Sequence, residues 1–202
     1  MYTEIFIVLV LFGFAWYFLD NSSYIVEDSM DGKNKVTSEQ PELTSFSYSC
    51  WIRIDKFDYG TPKVIFVKGS PDLQHACPAL LIDANTNTLL VKMDTYGIQE
   101  TIPITSVPAK KWLHIALTVQ EHELKVYVNG IEYANHLSNI PKTNTAQVLV
   151  SPDGFSGRIA KLQFFPKVLS YSEVVGQSKS IPSTTEVEQV FPPYFDISWF
   201  RT

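Results

Sequence analysis

A period-two alternation of apolar and polar residues, beginning at residue 46, is the feature that most restricts the fold. Between residues 46 and 54 every second residue is apolar; these residues are Phe46, Tyr48, Cys50, Ile52 and Ile54. Successive side chains of an extended strand point to opposite faces, so the pattern predicts a half-buried strand. The body of the chain has no long segment with the 3.6-residue period of an amphipathic helix. The body is therefore predicted to be all-β.

Further short strands follow, and turn residues separate them. They are predicted at residues 64–68, 79–83, 88–93, 100–104, 112–120, 123–129, 147–150 and 159–165. Asn129-Gly130 is typical of a tight hairpin, because both residues tolerate positive φ. One short helix is predicted at residues 169–175, with Ser170 as its N-cap, Glu173 completing a capping box and Gly176 ending it. These elements predict a two-sheet sandwich or jelly roll.

Four blocks of the body resemble a known family. Residues 112–119 (WLHIALTV) and 124–130 (LKVYVNG) resemble the central hairpin of laminin G-like domains. Residues 157–165 (GRIAKLQFF) and 168–174 (VLSYSEV) resemble the last long strand of these domains and the helical turn after it. Laminin G-like domains belong to the concanavalin A-like lectin/glucanase superfamily. The resemblance implies a concanavalin A-like two-sheet jelly-roll sandwich but no single function, since this fold hosts lectins, hydrolases, adhesion modules and structural parts.

Residues 5–19 form an apolar run without a charged residue. As a helix the run would be about 22 Å long, and interfacial aromatic residues extend it toward the ~30 Å hydrocarbon core of a bilayer. Glu4 stands where a signal peptide would carry basic residues, and no small-residue cleavage site follows the run. We therefore predict a single transmembrane anchor in residues 1–20, formed by Ile5, Phe6, Val8, Leu9, Phe12, Trp16 and Tyr17. A hydrophobic helix buried in a partner protein is the alternative.

Three further segments complete the predicted organisation. Residues 21–42 are polar, and residues 20–49 hold six acidic residues against two lysines, which predicts an acidic stalk. The sandwich is expected at residues 43–177, and residues 178–202 form a proline- and aromatic-rich tail. A free tail this apolar would be poorly soluble, so we expect it to dock on a partner. The predicted docking residues are Phe191, Pro192, Pro193, Tyr194, Phe195, Trp199 and Phe200.

No catalytic residue is predicted. A retaining glucanase of this fold needs two carboxylates about 5.5 Å apart, and the body contains no matching acidic motif. Glu121 and Glu123 flank His122 between two strands, where a solvated turn is expected. His114 is expected to make a structural hydrogen bond, and the other histidines lack the spacing of zinc ligands.

Binding residues are only weakly indicated. Calcium is a candidate ion because related domains often carry it, but no site is assigned, and no other cofactor is predicted. The loop or strand-end acids that could contribute to such a site are Asp72, Asp83, Asp94 and Asp153. Trp51, Tyr59 and Tyr96 are the candidate ligand platforms, with Trp51 either exposed or covered. Cys50 and Cys77 are compatible with a disulfide or with two free thiols.

The leading functional hypothesis is a non-enzymatic structural or interaction protein that links a bilayer to a large protein assembly. The net charge of −5 gives no basic footprint for nucleic acid. The architecture resembles minor capsid proteins of large membrane-containing DNA viruses, so the expected partners are a lipid bilayer and capsid proteins. The expected location is a single-pass position in a virion, organelle or cell membrane, facing an unspecified side. The alternative is a lectin-like surface module that binds carbohydrate, with or without calcium.

Overall fold

The structure, a computed structural model, describes residues 22–121, 123–135 and 139–183. These residues form thirteen strands and one helix. The strands are β1 (Ser23–Val26), β2 (Met30–Asp31), β3 (Val36–Ser38), β4 (Ser45–Ile54), β5 (Lys63–Lys68), β6 (Ala79–Ile82), β7 (Leu89–Met93), β8 (Glu100–Ile104), β9 (Trp112–Gln120), β10 (Glu123–Val128), β11 (Ile131–Asn135), β12 (Val148–Val150) and β13 (Gly157–Phe165). The helix is α1 (Tyr171–Ser178).

The strands form two antiparallel sheets. The seven-stranded sheet has the order β1-β13-β4-β9-β10-β11, with β2 also pairing with β13. The six-stranded sheet has the order β3-β12-β5-β6-β7-β8. The predicted all-β two-sheet sandwich with one short helix is therefore confirmed.

The core lies between the two sheets, where the apolar residues of β4 point inward. Tyr48 is 1% exposed, and its ring lies 5.4 Å from that of Phe66 on β5 in the opposite sheet. On its own sheet the Tyr48 ring lies 5.2 Å from that of Phe164 and 5.8 Å from that of Phe46. Aromatic pairs at these distances add to the free energy gained by burial, so this cluster joins the sheets at the centre of the molecule.

The predicted turn chemistry is confirmed at two places and corrected at one. Asn129 and Gly130 have φ values of 51° and 80°, as a two-residue hairpin requires. Ser170 accepts a hydrogen bond from the backbone N–H of Glu173, and the Glu173 carboxylate accepts one from the backbone N–H of Ser170, which completes the capping box. The helix does not end at Gly176, however. It continues to Ser178, because an exposed glycine only lowers helix propensity and does not stop the backbone hydrogen bonds.

The prediction of a polar stalk at residues 21–42 is wrong where the structure describes it. β1 pairs with β13 through Ser23 and Phe164, and β3 pairs with β12 through Ser38 and Val148. Val26 is 7% exposed and belongs to the main core. These strands have only two to four residues each, so no long alternating pattern marks them in the sequence, although Ile25, Met30 and Val36 pack partly against the core. The sandwich therefore begins at residue 23 and not at residue 43.

The predicted anchor and docking residues lie outside the described residues. In the ranges that the structure describes, no helix is both long enough and apolar enough to cross a bilayer.

The connections between strands gather at two ends of the sandwich. The Tyr59 end contains the connections 55–62, 83–88 and 105–111 and the hairpin turn 129–130. The Tyr96 end contains the connections 69–78, 94–99 and 139–147 and the start of β1. These two names are kept below.

Replacement of Val26 by alanine tests the corrected boundary. The substitution removes two buried methyl groups from the core, so the free energy of unfolding should fall by about 2 kcal/mol. The exposed neighbour Glu27 provides the control, because Glu27→Ala removes no buried contact. Urea denaturation of both variants measures the difference. Equal stability of the two variants would mean that residues 23–26 do not pack in the sandwich.

Candidate functional site

A polar groove of about 320 Å³ lies on the outer face of the seven-stranded sheet. Strands β9, β10 and β11 form its floor, and the segment that leads into α1 forms its wall. The lining residues are Thr118, Gln120, Glu123, Lys125, Tyr127, Glu132, Val168, Leu169, Ser170 and Tyr171. A groove of this size is at the lower end of the range for small-molecule sites.

The alternation of β10 makes the floor polar. Leu124 and Val126 point into the core, so Glu123, Lys125 and Tyr127 point outward into the groove. The Lys125 ammonium lies 3.1 Å from the Glu123 carboxylate, and the hydrogen bond between them raises the pKa of Lys125. Lys125 therefore carries its positive charge at neutral pH.

Tyr127 and Glu132 continue the floor at the centre of the groove. Glu132 on β11 is the cross-strand neighbour of Tyr127 on β10. Burial, together with the Glu132 carboxylate, raises the pKa of Tyr127, so its phenol stays protonated. The floor thus presents the Lys125 ammonium and the carboxylates of Glu123 and Glu132 within one groove.

The wall is held in place by the N-terminus of α1. Glu173 binds Lys167 at 2.9 Å and the backbone N–H of Ser170 at 2.7 Å, and these hydrogen bonds lower the pKa of Glu173 to about 2. A small apolar cluster fixes the helix on the sheet; its members are Ala116, Tyr127, Phe165, Leu169 and Val174. Tyr171 follows the cap and remains 60% exposed on the rim of the groove. The groove therefore combines a rigid polar floor with one accessible aromatic ring.

The sequence interpretation missed this groove. The alternation of β10 already indicates that Glu123, Lys125 and Tyr127 share a face. The register of β11 and the position of Tyr171 above that face are tertiary facts that no spacing in the sequence shows.

Trp51 is covered, which is one of the two alternatives that the sequence left open, so it does not offer an exposed ligand platform. Its side chain is 5% exposed, and its ring lies 5.2 Å from that of His114. The alternation correctly predicts that it points away from the core, but the outer face at this point is covered.

Tyr59 and Tyr96 are exposed as expected, at 61% and 74%. They lie at opposite ends of the sandwich, so they cannot form one platform, and the role of each stays a prediction.

Ser49 and His114 form a buried pair beside Trp51. Serine and histidine are also the residue types of a catalytic nucleophile and its base, but this pair lacks the rest of such a site. Ser49 Oγ and His114 Nε2 are 2.9 Å apart, and the histidine is 0% exposed. Among the described residues His114 Nδ1 has no hydrogen-bond partner, so no carboxylate orients the ring. Burial lowers the pKa of His114 to about 4, which keeps the ring neutral. The pair is a structural hydrogen bond, as expected for His114.

Two of the acids considered for calcium instead stabilise loops. The Asp83 carboxylate accepts hydrogen bonds from the backbone of Asn85 and from the backbone and side chain of Thr86. Asp72 accepts one from the backbone of Gln74 and one from the Ser70 hydroxyl.

The other two acids lie far apart. Asp94 binds Lys142 at 3.3 Å, and Asp153 is exposed at the opposite end. In the described ranges no three His, Cys, Asp or Glu side chains come together as a metal site.

Both cysteines are buried free thiols. Burial raises the pKa of Cys50 to about 12 and that of Cys77 to about 11. A thiol that stays protonated is a poor nucleophile, so neither cysteine is placed for chemistry.

The buried neutral His114 predicts a loss of stability in mild acid. Its pKa is about 4 in the folded chain and about 6.5 when unfolded, so only the unfolded chain takes up the proton between these values. This group should remove about 3 kcal/mol of stability as the pH falls from 6.5 to 4, with no further loss below that. His114→Gln should flatten the pH dependence. Urea denaturation between pH 4 and pH 7.5 measures the slope for each chain, and parallel curves for His114→Gln and the parent chain would contradict the assignment.

The model of the concanavalin A-like lectin/glucanases superfamily matches residues 29–175. A search of curated proteins found no match.

Solved structures with the same fold include several toxin domains. The binding domain of Paraclostridial Mosquitocidal Protein 1 superposes with a TM-score of 0.60 at 16% identity, covering 80% of this chain and 47% of that one. The binding domain of botulinum neurotoxin DC in complex with rat synaptotagmin II gives 0.60 at 18% identity, covering 79% and 46%. The same domain in complex with SialylT gives 0.59 at 17% identity, covering 80% and 45%. The chain thus spans a little less than half the length of these structures, and at such identities the likeness shows the fold alone.

Proposed function

Because the chain belongs to the concanavalin A-like lectin/glucanase superfamily, we propose that its sandwich is a non-catalytic binding module for a neutral oligosaccharide. The observation that carries this proposal is the polar groove beside Tyr171. A sugar presents hydroxyl groups around its ring edge and an apolar patch of C–H groups on its face. The groove offers hydrogen-bonding groups for the edge and an exposed aromatic ring for the face.

The groups in the groove suit hydroxyl ligands in particular. The Lys125 ammonium only donates hydrogen bonds, and the Glu132 carboxylate only accepts them. A ring with several hydroxyls can satisfy both at once. The volume of about 320 Å³ suits one or two sugar rings, with a longer chain extending past Tyr171.

The charge of the groove favours a neutral sugar over an acidic one. Glu123 and Glu132 supply two negative charges against the single positive charge of Lys125. A sialic acid carboxylate would therefore be repelled unless it reached Lys125 alone, and Lys125 is already paired with Glu123.

Glu123 suits the binding of a ligand hydroxyl. Its carboxylate lies 3.1 Å from the Lys125 ammonium and accepts hydrogen bonds. The names of the solved neighbours describe binding domains, one of them in complex with rat synaptotagmin II and one in complex with SialylT. These names support the same class of function without assigning a ligand to this chain.

Substitution of Tyr171 tests the groove. The full chain is screened on an array of neutral and sialylated oligosaccharides with and without calcium, and the best ligand is then titrated by calorimetry. Tyr171→Ala should weaken binding roughly tenfold, because the stacking face is lost while α1 keeps its cap. The matched control is Tyr59→Ala, which removes an equally exposed tyrosine at the Tyr59 end.

Two outcomes would contradict this proposal. One is an array without any neutral oligosaccharide ligand. The other is a ligand whose affinity falls with Tyr59→Ala or Tyr96→Ala and not with Tyr171→Ala, which would return the site to the exposed loops.

A second proposal concerns the apolar run at residues 5–19, and its support is the sequence. We propose that this run attaches the chain to a bilayer, so that the module is displayed at a membrane surface. The further step, in which the apolar residues of 190–200 dock on an assembly such as a capsid, rests on their composition and remains part of this proposal.

Vesicle flotation tests the attachment. The full chain, synthesised in the presence of phosphatidylcholine vesicles, should float with them and resist extraction at alkaline pH. The variant Leu9→Arg/Phe12→Arg should stay in the dense fraction, because each buried arginine costs about 2.5–3.5 kcal/mol at the centre of a membrane helix. A parent chain that sediments free of vesicles would refute the proposal.

A further inference from the structure

Three exposed apolar side chains project from the Tyr96 end of the sandwich. Tyr96 is 74% exposed, Ile98 is 76% exposed and Ile140 is 46% exposed. They belong to two connections, 94–99 and 139–147, that lie next to each other. Single exposed apolar residues are ordinary, but three on adjoining loops form a candidate contact surface. These three residues are called the apolar tip.

Hydrogen bonds hold the two loops of the apolar tip together. The backbone N–H of Tyr96 donates to the carbonyl of Ile140 at 2.9 Å, and Thr95 forms an isolated β-bridge with Pro141. Thr95 is fully buried, and its hydroxyl donates to the carbonyl of Ile98 at 2.7 Å. The tip is therefore presented by a bonded scaffold.

The chain enters the sandwich at the same end. Ser23, the first residue of β1, pairs with Phe164 near the end of β13, and its hydroxyl donates to the Gln40 side chain at 3.0 Å. The backbone carbonyl of Gln40 accepts a hydrogen bond from Lys68 Nζ at 2.9 Å.

Lys68 in turn connects this corner to the loops of the Tyr96 end. Its own carbonyl accepts a hydrogen bond from the Asn144 side chain, which also donates to the carbonyl of His75. Ser23 and the apolar tip thus lie at one end of the molecule. Within this end, β3 is the edge strand beside β1, and the connection 94–99 follows β7. Four strand spacings, or about 19 Å, separate β3 from β7.

The segment between the apolar run and β1 is short. Only four residue steps separate Leu19, the last residue of the apolar run, from Ser23, and fully extended they reach about 14 Å. If residues 5–19 lie in a bilayer, the Tyr96 end is held close to its surface.

We propose that Tyr96, Ile98 and Ile140 insert into the interface of the bilayer that the apolar run anchors, giving the sandwich a second point of contact. This inference rests on the proposed attachment of residues 5–19. Tyrosine is enriched at membrane interfaces because its ring is apolar and its hydroxyl reaches water. Two separate contacts at this end would hold the sandwich end-on, with the Tyr59 end facing away.

The charges around the apolar tip indicate a neutral lipid surface. Asp72 and Asp94 carry negative charge, Lys142 carries positive charge, and the exposed His75 lies 3.6 Å from Asp94. This mixture gives no basic patch for anionic headgroups. Contact should therefore form on phosphatidylcholine alone and should persist at high salt.

Lipid-quenching of a fluorescent label tests the proposal on the full chain. The variant Ile98→Cys is labelled with an environment-sensitive dye and incorporated into phosphatidylcholine nanodiscs that contain a lipid quencher just below the headgroup. The native cysteines are 1% and 2% exposed, so the dye reacts at the introduced site. The matched control is Ile131→Cys, a similarly exposed isoleucine of the Tyr59 end, at 69%.

The proposal predicts at least twofold quenching of the label at residue 98 and none at residue 131. Introduction of Tyr96→Ser into the labelled Ile98→Cys chain should reduce the quenching, because the neighbouring contact is lost. If the chain co-elutes with nanodiscs while the label at residue 98 is not quenched, the membrane attachment is supported and the insertion of the apolar tip is refuted. If the chain does not co-elute with nanodiscs, the proposed attachment of residues 5–19 and the proposed insertion of the apolar tip both fail.

Discussion

The contact between Tyr48 and Phe66 across the two sheets is the interaction on which the rest of the structure depends. It fixes which residues of β4 face inward, and Phe46 and Phe164 complete an aromatic cluster around it. A slip of β4 by one residue would place Ser47 and Ser49 in the core and expose the aromatic residues, so the register is strongly specified. The same register sends Ser49 and Trp51 to the outer face, where they meet His114.

The outer face of the seven-stranded sheet is therefore the face that has room for a binding site. The core side of this sheet is fully used by packing against the six-stranded sheet. On the outer side, α1 covers only part of β9 and β10, and Leu169 and Val174 seal its contact. The uncovered part of β10, beside the capped start of α1, is the polar groove. The groove therefore arises from an incomplete second layer on one face of the sandwich.

Periodicity in the sequence was enough to predict the strands with long or clearly alternating patterns. β8 shows this directly, since its buried and exposed residues alternate. β4 and β9 alternate in sequence, but the structure buries both of their faces, so they are not the half-buried strands that the pattern predicts. β1 to β3 were not predictable, because each has only two to four residues, too few for a recognisable alternation. β11 was missed for a related reason: Ile131 and Tyr133 are both exposed, so the strand has no buried stripe.

The site was less predictable than the fold, because exposure and proximity depend on what lies above a strand. Alternation correctly placed Trp51 on the outer face, but only the assembled structure shows that this residue is covered. Tyr59 and Tyr96 are equally plausible platforms in the sequence, and the topology separates them by the full length of the sandwich. The groove brings together β10 and Tyr171, which are more than forty residues apart in the chain.

The central claim is that the outer-face groove is where this module binds its ligand. Amide hydrogen exchange of the full chain in lipid nanodiscs, with and without a saturating neutral oligosaccharide, tests it most directly. The account predicts ligand-dependent protection in β10, β11 and residues 168–171, with the loops around Tyr59 and Tyr96 unchanged. Protection confined to either of those loops, with none in β10, would contradict it.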